Sequence, residues 1–219
     1  MAKIKIGNVR TPIDYLKQYF APTGYGLGSF GVGSSDLDTN TKSGCYSFTT
    51  GCKNTPFAFG VVLVLNRYET DIVQIAFDVT MTSGSELGSI ARRVYVEGKW
   101  NEWEYLNPPM LLGVEYRTTE RWKGKSVYIK SVNLGNLPDT ANSMGTTWVD
   151  GSFYGSGVKS VIACGGCLYK GDEWAGALPY VSAGIRVDVV ANSTTVGVIA
   201  SDGSFSDRTA TVWVKYTKK

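Results

Sequence analysis

Apolar and polar residues alternate with a period of two along most of the chain after residue 36, which is typical of half-buried β-strands. The clearest segments of the first half are residues 45–48, 57–66, 71–79, 91–98 and 99–106. Each is bounded by Gly, Asn, Ser or charged turn residues, and Glu97-Gly98-Lys99 predicts a hairpin turn between the last two. The stretch FGVVLVL at 59–65 is continuously apolar, so we expect a strand that is buried on both faces.

The second half continues the pattern with LLGVEYRTTE, SVYIKSVNLG, SGVKSVIACG and GCLYK, and then with residues 184–190, 195–201 and 209–216. We expect the last three segments to form an antiparallel meander in which Val212 and Val214 face the core and Trp213 faces away. Short, regularly spaced strands of this kind favour an antiparallel β-sandwich or a jelly-roll-like domain.

Two features interrupt the strand pattern and divide the chain. TPIDYLKQYF at 11–20 predicts a short amphipathic helix, because Thr11 can cap it and Pro12 suits its first turn. Pro108-Pro109 cannot donate backbone hydrogen bonds and predicts a domain boundary. The expected organisation is an N-terminal helix and connector at 1–23, a small β module at 24–107 and a β-sandwich head at 108–219.

Composition and charge narrow the class of protein. The 22 basic and 19 acidic residues are well mixed, and a net charge of +3 does not favour nucleic acid as a partner. No apolar run approaches the roughly 18 to 20 residues that span a bilayer, so no membrane insertion is expected. The start, MAKIKIGNVR, leads into a polar stretch, and we expect no signal peptide.

The chain has no histidine, which removes the commonest general base and the commonest metal ligand. Its four cysteines are Cys45, Cys52, Cys164 and Cys167, and the first pair has a poor spacing for zinc. We therefore expect neither a metal nor a cofactor. A bridge between Cys164 and Cys167 requires that Gly165-Gly166 form a turn.

The first half contains three motifs in order: DLDTNTKSGCYSF at 36–48, IVQIAFD at 72–78 and ARRVYVEGKWNEW at 91–103. With these motifs it resembles the knob-type module of phage and pyocin-like tail fibres. The matching residues, in chain order, are Asp36, Leu37, Thr39, Thr41, Gly44, Tyr46, Gln74, Ala76, Arg93, Gly98, Trp100 and Trp103.

The second half contains EYRTTERWKGKSVYIKSVNLGNLPD at 115–139 and ends in TVWVKYTK. In these segments it is similar to the C-terminal head domain of phage baseplate and tail-fibre proteins. Together the two resemblances imply a homotrimeric receptor-binding protein of a phage virion. Such a protein assembles in the host cytoplasm, contacts other tail or baseplate proteins and attaches to a bacterial surface polysaccharide.

Sugar sites present aromatic rings among carboxylates and amides, on loops above a rigid sheet. The candidate glycan-binding residues are Trp148, Asp150, Phe153, Tyr154, Asp172, Trp174 and Tyr180. Packing under a loop or at a subunit interface is the alternative for each ring. A catalytic carboxylate pair drawn from Asp150, Asp172, Glu173 and Asp188 is a further alternative, but we expect no enzyme, since tail proteins that cleave glycans generally have a larger body.

Two more pairs of residues have alternative interpretations. Arg92-Arg93 suits an anionic polysaccharide, or else covers the core edge and pairs with an acid. Trp100 and Trp103 are three residues apart, so in a regular strand they point to opposite faces, one into the core and one outward.

A structural tail adaptor without a ligand of its own is the alternative to the receptor-binding function.

Overall fold

The computed structural model of the chain describes residues 30–32, 35–68, 70–79, 88–137, 145–149, 157–182, 185–200 and 206–219. The chain forms two compact units, Met1–Asn107 and Pro108–Lys219, which we call unit 1 and unit 2. The helix predicted at 11–20 lies outside the described residues. Within the described ranges, no helix has the length and apolar character needed to cross a membrane.

Unit 1 is built on one β-sheet. Its strands are β1 (Phe30–Val32), β2 (Gly44–Phe48), β3 (Gly60–Tyr68), β4 (Asp71–Asp78), β5 (Ile90–Val96), β6 (Lys99–Trp100) and β7 (Glu104–Tyr105). The hydrogen-bonded order is β1-β2-β3-β4-β5-β7, with β6 also paired to β5. The predicted turn at 97–99 is confirmed, with Glu97 and Gly98 at φ angles of 53° and 81°.

The core of unit 1 lies against one face of this sheet. Alternate residues of β3 and β4, among them Val62, Val64 and Ile72, are buried there together with Leu37 and Phe48. The opposite face is only partly covered: Leu65 is 48% exposed. The prediction that residues 59–65 are buried on both faces is therefore wrong for one face of the single chain.

Unit 2 contains two antiparallel sheets. Its strands are β8 (Glu115–Trp122), β9 (Lys125–Asn136), β10 (Gly145–Val149), β11 (Val158–Lys170), β12 (Glu173–Leu178), β13 (Tyr180–Ser182), β14 (Ile185–Ala191), β15 (Val196–Ala200) and β16 (Thr209–Lys218). The first sheet has the order β8-β9-β16-β11-β12 and the second the order β10-β15-β14-β13.

One apolar core joins the two sheets of unit 2. The first sheet contributes Leu168, Val212 and Val214, and the second contributes Val187, Val196 and Val198. All six residues are fully buried. Because each strand sends alternate residues into this layer, the outward residues remain partly exposed. The predicted mostly β fold with a sandwich head is confirmed.

The predicted meander of the last three strands is wrong in one respect. β14 and β15 pair as expected, but β16 pairs with β9 and β11 in the other sheet. Val212 and Val214 do face the core, and Trp213 lies on the other face, half-buried. The period of two fixes which residues point inward, but a strand with the same alternation fits either sheet of a sandwich.

Gly165-Gly166 lies inside one continuous strand, β11, and forms no turn. Gly165 stands opposite Trp213, and a β-carbon there would lie 2.7 Å from Cζ2 of that indole. The two glycines thus allow close approach of β16. All four cysteines are free thiols, so the conditional Cys164–Cys167 bridge does not form.

We expect Gly166→Ala to destabilise unit 2 by about 1 to 3 kcal/mol, because its β-carbon would lie 2.4 Å from the backbone oxygen of Thr211. Urea unfolding followed by tryptophan fluorescence measures this change. Ala177→Val is the control, since Ala177 is exposed on the neighbouring strand β12 and the added bulk meets solvent. Equal stability of the two variants would contradict the close-approach role.

Candidate functional site

Arg93 is a charged residue at the centre of unit 1. β5 alternates so that Ala91 and Arg93 are buried and Arg92 is exposed. The guanidinium carbon of Arg93 lies 4.4 Å from the ring centroid of Trp100 and 4.5 Å from that of Trp103. Both indoles therefore contact the same cation, in the geometry of a double cation–π interaction.

An interruption of the strand explains how both tryptophans reach Arg93. β6 ends at Trp100 and β7 begins at Glu104, so the intervening residues do not follow strand alternation. Trp100 Nε1 donates to the backbone oxygen of Asp38 (3.1 Å), and Trp103 Nε1 donates to that of Asn54 (2.9 Å). The prediction that the two rings point to opposite faces is wrong, and neither forms a ligand platform.

Polar partners contact two nitrogens of the Arg93 side chain. Its Nε donates to Oε1 of Gln74 (2.9 Å), and its Nη1 forms an ion pair with Oδ1 of Asp38 (2.6 Å). Gln74 is fully buried, and its Nε2 donates to the backbone oxygens of Leu37 (2.8 Å) and Asn40 (2.9 Å). Gln74 thereby links the arginine to the loop that precedes β2.

That loop begins with a short 3-10 helix, Leu37–Thr39, which is capped by Asp36. The Asp36 carboxylate accepts from the backbone N–H of Asp38 (2.9 Å) and from Nδ2 of Asn54 (2.8 Å). These two donors hold the pKa of Asp36 below its ordinary value. We call Asp36, Asp38, Gln74, Arg93, Trp100 and Trp103 the Arg93 cluster.

The cluster is a structural feature rather than a surface for ligands. Arg93 is only 4% exposed, whereas its neighbour Arg92 has a side chain that is 47% exposed and lies 3.5 Å from Glu104. Burial lowers the pKa of Arg93, and the Asp38 carboxylate opposes that effect. An arginine nevertheless stays protonated in proteins. Arg92 pairs with Glu104 and Arg93 with Asp38, so the pairing with an acid describes both arginines better than a site for an anionic polysaccharide.

Of the predicted glycan-binding residues, Trp148, Asp172, Trp174 and Tyr180 lie in the described part of the chain. Trp148 lies in β10 and Tyr180 in β13, which are the opposite edges of the four-stranded sheet. The Tyr180 ring packs against Gly176 and the sandwich core, so the packing alternative applies to it. Asp150, Phe153 and Tyr154 lie outside the described residues.

Asp172 and Trp174 do lie together, in the hairpin that joins β11 to β12. Asp172 is exposed in the turn, and Trp174 pairs with Tyr169 across the hairpin. We call residues 170–174 the β11–β12 tip. Its exposed residues include one amine, Lys170, and two carboxylates, Asp172 and Glu173. Asp188, the other carboxylate considered, is ion-paired with Arg186 (2.5 Å) in the other sheet.

Asp207 is a neighbour of this tip that the sequence did not indicate. Its carboxylate lies 2.8 Å from Nζ of Lys170, and a hydrogen bond from that amine lowers the pKa of Asp207. The two residues are far apart in sequence and meet because β16 pairs with β11. No local pattern carries that information.

Comparison with known proteins does not define a family for this chain. No protein-family model and no curated protein matches the chain. Among solved structures, the C-terminal part of the R1 pyocin fibre of P. aeruginosa is 14% identical, with 88% of this chain and 69% of that chain covered and a TM-score of 0.27. An N-truncated R2-type pyocin tail fibre is 12% identical, with coverages of 86% and 99% and a TM-score of 0.28. TM-scores this low do not define a shared fold, so this likeness carries no argument about function.

We expect Arg93→Ala to lower the unfolding free energy of unit 1 by about 3 kcal/mol, because Asp38 and Gln74 would lose their buried partner. Chemical denaturation with near-ultraviolet circular dichroism of the tryptophans measures the loss. The control is the neighbouring Arg92→Ala: the Arg92 side chain is 47% exposed and its partner Glu104 only 9%, so we expect a smaller loss, of about 1 kcal/mol. Similar losses in the two variants would refute the distinction between the neighbouring arginines.

The lowered pKa of Asp36 predicts a dependence of stability on pH. A carboxylate with a lower pKa in the folded than in the unfolded state stabilises the fold above the unfolded pKa and loses that contribution as pH falls through the folded pKa. We expect wild-type unit 1 to be more stable than Asp36→Asn at about pH 6, with the difference shrinking between about pH 5 and about pH 2. Asn keeps the capping oxygen, so a difference that did not vary with pH would exclude the charge as its cause.

Proposed function

We propose that this chain is the receptor-binding protein of a phage tail fibre or baseplate, which attaches the virion to a glycan on the host surface. The observation that carries the proposal is the Arg93 cluster. The residues that match the knob-type module include Asp36, Gln74, Arg93, Trp100 and Trp103, and all of them belong to this one bonded cluster. The convergence of these residues in one cluster supports the proposal, because residues that serve one structural role together are expected of a module that folds as a unit.

The glycan contact in this proposal is the β11–β12 tip. An exposed carboxylate at Asp172, an amine at Lys170 and the indole of Trp174 supply the hydrogen-bonding and stacking groups that sugars require. The tip is anchored by the sheet itself, since β11 pairs with both β12 and β16. Asp150, Phe153 and Tyr154 remain predicted contacts.

The proposed protein is non-catalytic and homotrimeric, and it resides in the virion beside other tail proteins. Three copies would carry three weak sugar sites, and linked sites raise the effective affinity without new contacts. Two other functions compete with this one. A structural adaptor would have no ligand, and a glycan-degrading spike would use a carboxylate pair.

We expect labelled protein to adsorb to some strains in a panel of bacteria. Trp174→Ala should weaken that adsorption by about tenfold or more, because an indole that becomes buried against its ligand is a frequent source of binding energy. Trp122→Ala is the matched control, since Trp122 is 46% exposed at the end of a different hairpin, β8–β9. Flow cytometry measures both variants.

Each competing function has a distinct outcome in that experiment. Wild-type protein that adsorbs to no strain would favour the adaptor. Reducing ends released from purified envelope polysaccharide would favour the spike. Adsorption that Trp174→Ala leaves unchanged would remove the tip as the contact while leaving attachment itself intact.

A further inference from the structure

The sheet of unit 1 has a second apolar face, opposite its core. The registers of β3, β4 and β5 place apolar residues of neighbouring strands side by side there: Val61 beside Phe77, Leu63 beside Ile75, and Val73 between Leu65 and Val94. We call these seven residues, together with Val96, the outer face. Its one charged residue in these rows, Arg92, already faces Glu104.

This outer face is only partly covered in the single chain. Leu65 is 48% exposed, Val96 43% and Phe77 40%, whereas Val62, Val64 and Ala76 on the core face are at 0%. Contiguous apolar patches that remain exposed on a soluble protein commonly mark interaction surfaces. The strands carry apolar residues on both sides, as strands that are covered on both sides do.

A concave pocket of about 430 Å³ lies at the hairpin end of the outer face. Leu65, Val73, Val94 and Val96 are among the residues that line it, and Arg67 and Asp71 lie at the same end. Both charged residues are exposed, and in the part of the chain that the structure describes neither forms an ion pair. The guanidinium carbon of Arg67 lies 5.0 Å from the centroid of the Tyr68 ring.

We propose that the outer face is the surface through which copies of this chain associate. In this arrangement, apolar residues of one copy pack against the pocket of the next, and Arg67 of one copy pairs with Asp71 of its neighbour. The chemistry favours a second copy because the surface is self-complementary: one exposed cation and one exposed anion border the same apolar pocket. An anionic membrane would require an excess of cations, and a glycan would require polar groups where this face has aliphatic ones.

This inference rests on the proposed homotrimer and adds the surface that forms it. The direct test is the mass of the full chain by light scattering at micromolar concentration, for the wild type, Leu65→Glu and Val181→Glu. We expect Leu65→Glu to reduce the mass to that of a monomer, because a carboxylate would be buried in the interface. Val181 is 69% exposed in β13 of unit 2, so Val181→Glu is the matched control and should keep the wild-type mass.

A charge exchange tests whether the partner is another copy. Arg67→Glu alone should weaken assembly, since two acids would then face each other. Because residue 67 is exposed, we expect this substitution to leave the fold intact. The double variant Arg67→Glu with Asp71→Arg restores opposite charges only if both sites meet in the same assembly. We expect it to recover the wild-type mass, and near-ultraviolet circular dichroism of Trp100 and Trp103 to be unchanged in every variant.

The outcomes separate the interface from the trimer itself. A monomeric wild type overturns both the homotrimer and the interface. A wild-type oligomer that survives both Leu65→Glu and Arg67→Glu overturns the interface alone and leaves the homotrimer in place. A double variant that stays dissociated overturns the pairing of Arg67 with Asp71.

Discussion

The architecture of unit 1 depends on the Arg93 guanidinium, which lies between two indole rings. The planar cation offers a face to each ring and keeps its edge for Gln74 and Asp38. Lysine has no such plane and could not make both kinds of contact at once. One side chain thus connects the middle of the sheet, the loop before β2 and the segment after β6. In the described part of unit 1 the buried apolar core is small. The polar cluster holds the loops of this unit against its sheet.

The same cluster illustrates what an ion pair inside a protein does. A buried charge is costly to desolvate, and an apolar replacement of similar size is often as stable. A cation with fixed partners, however, tolerates few alternative arrangements of the surrounding chain. The indole N–H groups of Trp100 and Trp103 each bond a different backbone oxygen, at Asp38 and Asn54, so the position of Arg93 is transmitted to two separate loops. We interpret the cluster as a device for specifying the loop conformation.

Much of the fold follows from the alternation of residues, because the inward residues of a strand must be apolar wherever the strand lies. This is why β3, β4, β14 and β15 were predictable, as was the inward orientation of Val212 and Val214. Neighbourhood in a sheet is a property of distant segments, so the placement of β16 beside β9 and β11 was not. Whether Gly165-Gly166 forms a turn was left open for a related reason: a glycine that admits a neighbouring strand looks the same in sequence as one that makes a turn. Of the candidate residues that the structure describes, Asp172 and Trp174 lie together, and Asp207 is near their hairpin because β16 pairs with β11.

The free cysteines have a consequence for the conditions that this fold withstands. Burial raises the pKa of the Cys45, Cys52 and Cys164 thiols, and the thiolate is the form that attacks disulfides and reacts with oxidants. At neutral pH these three groups are therefore slow to react. The four cysteines form no disulfide, so a reducing solution has no covalent link between them to break. The same noncovalent contacts hold the protein together in reducing and in oxidising surroundings.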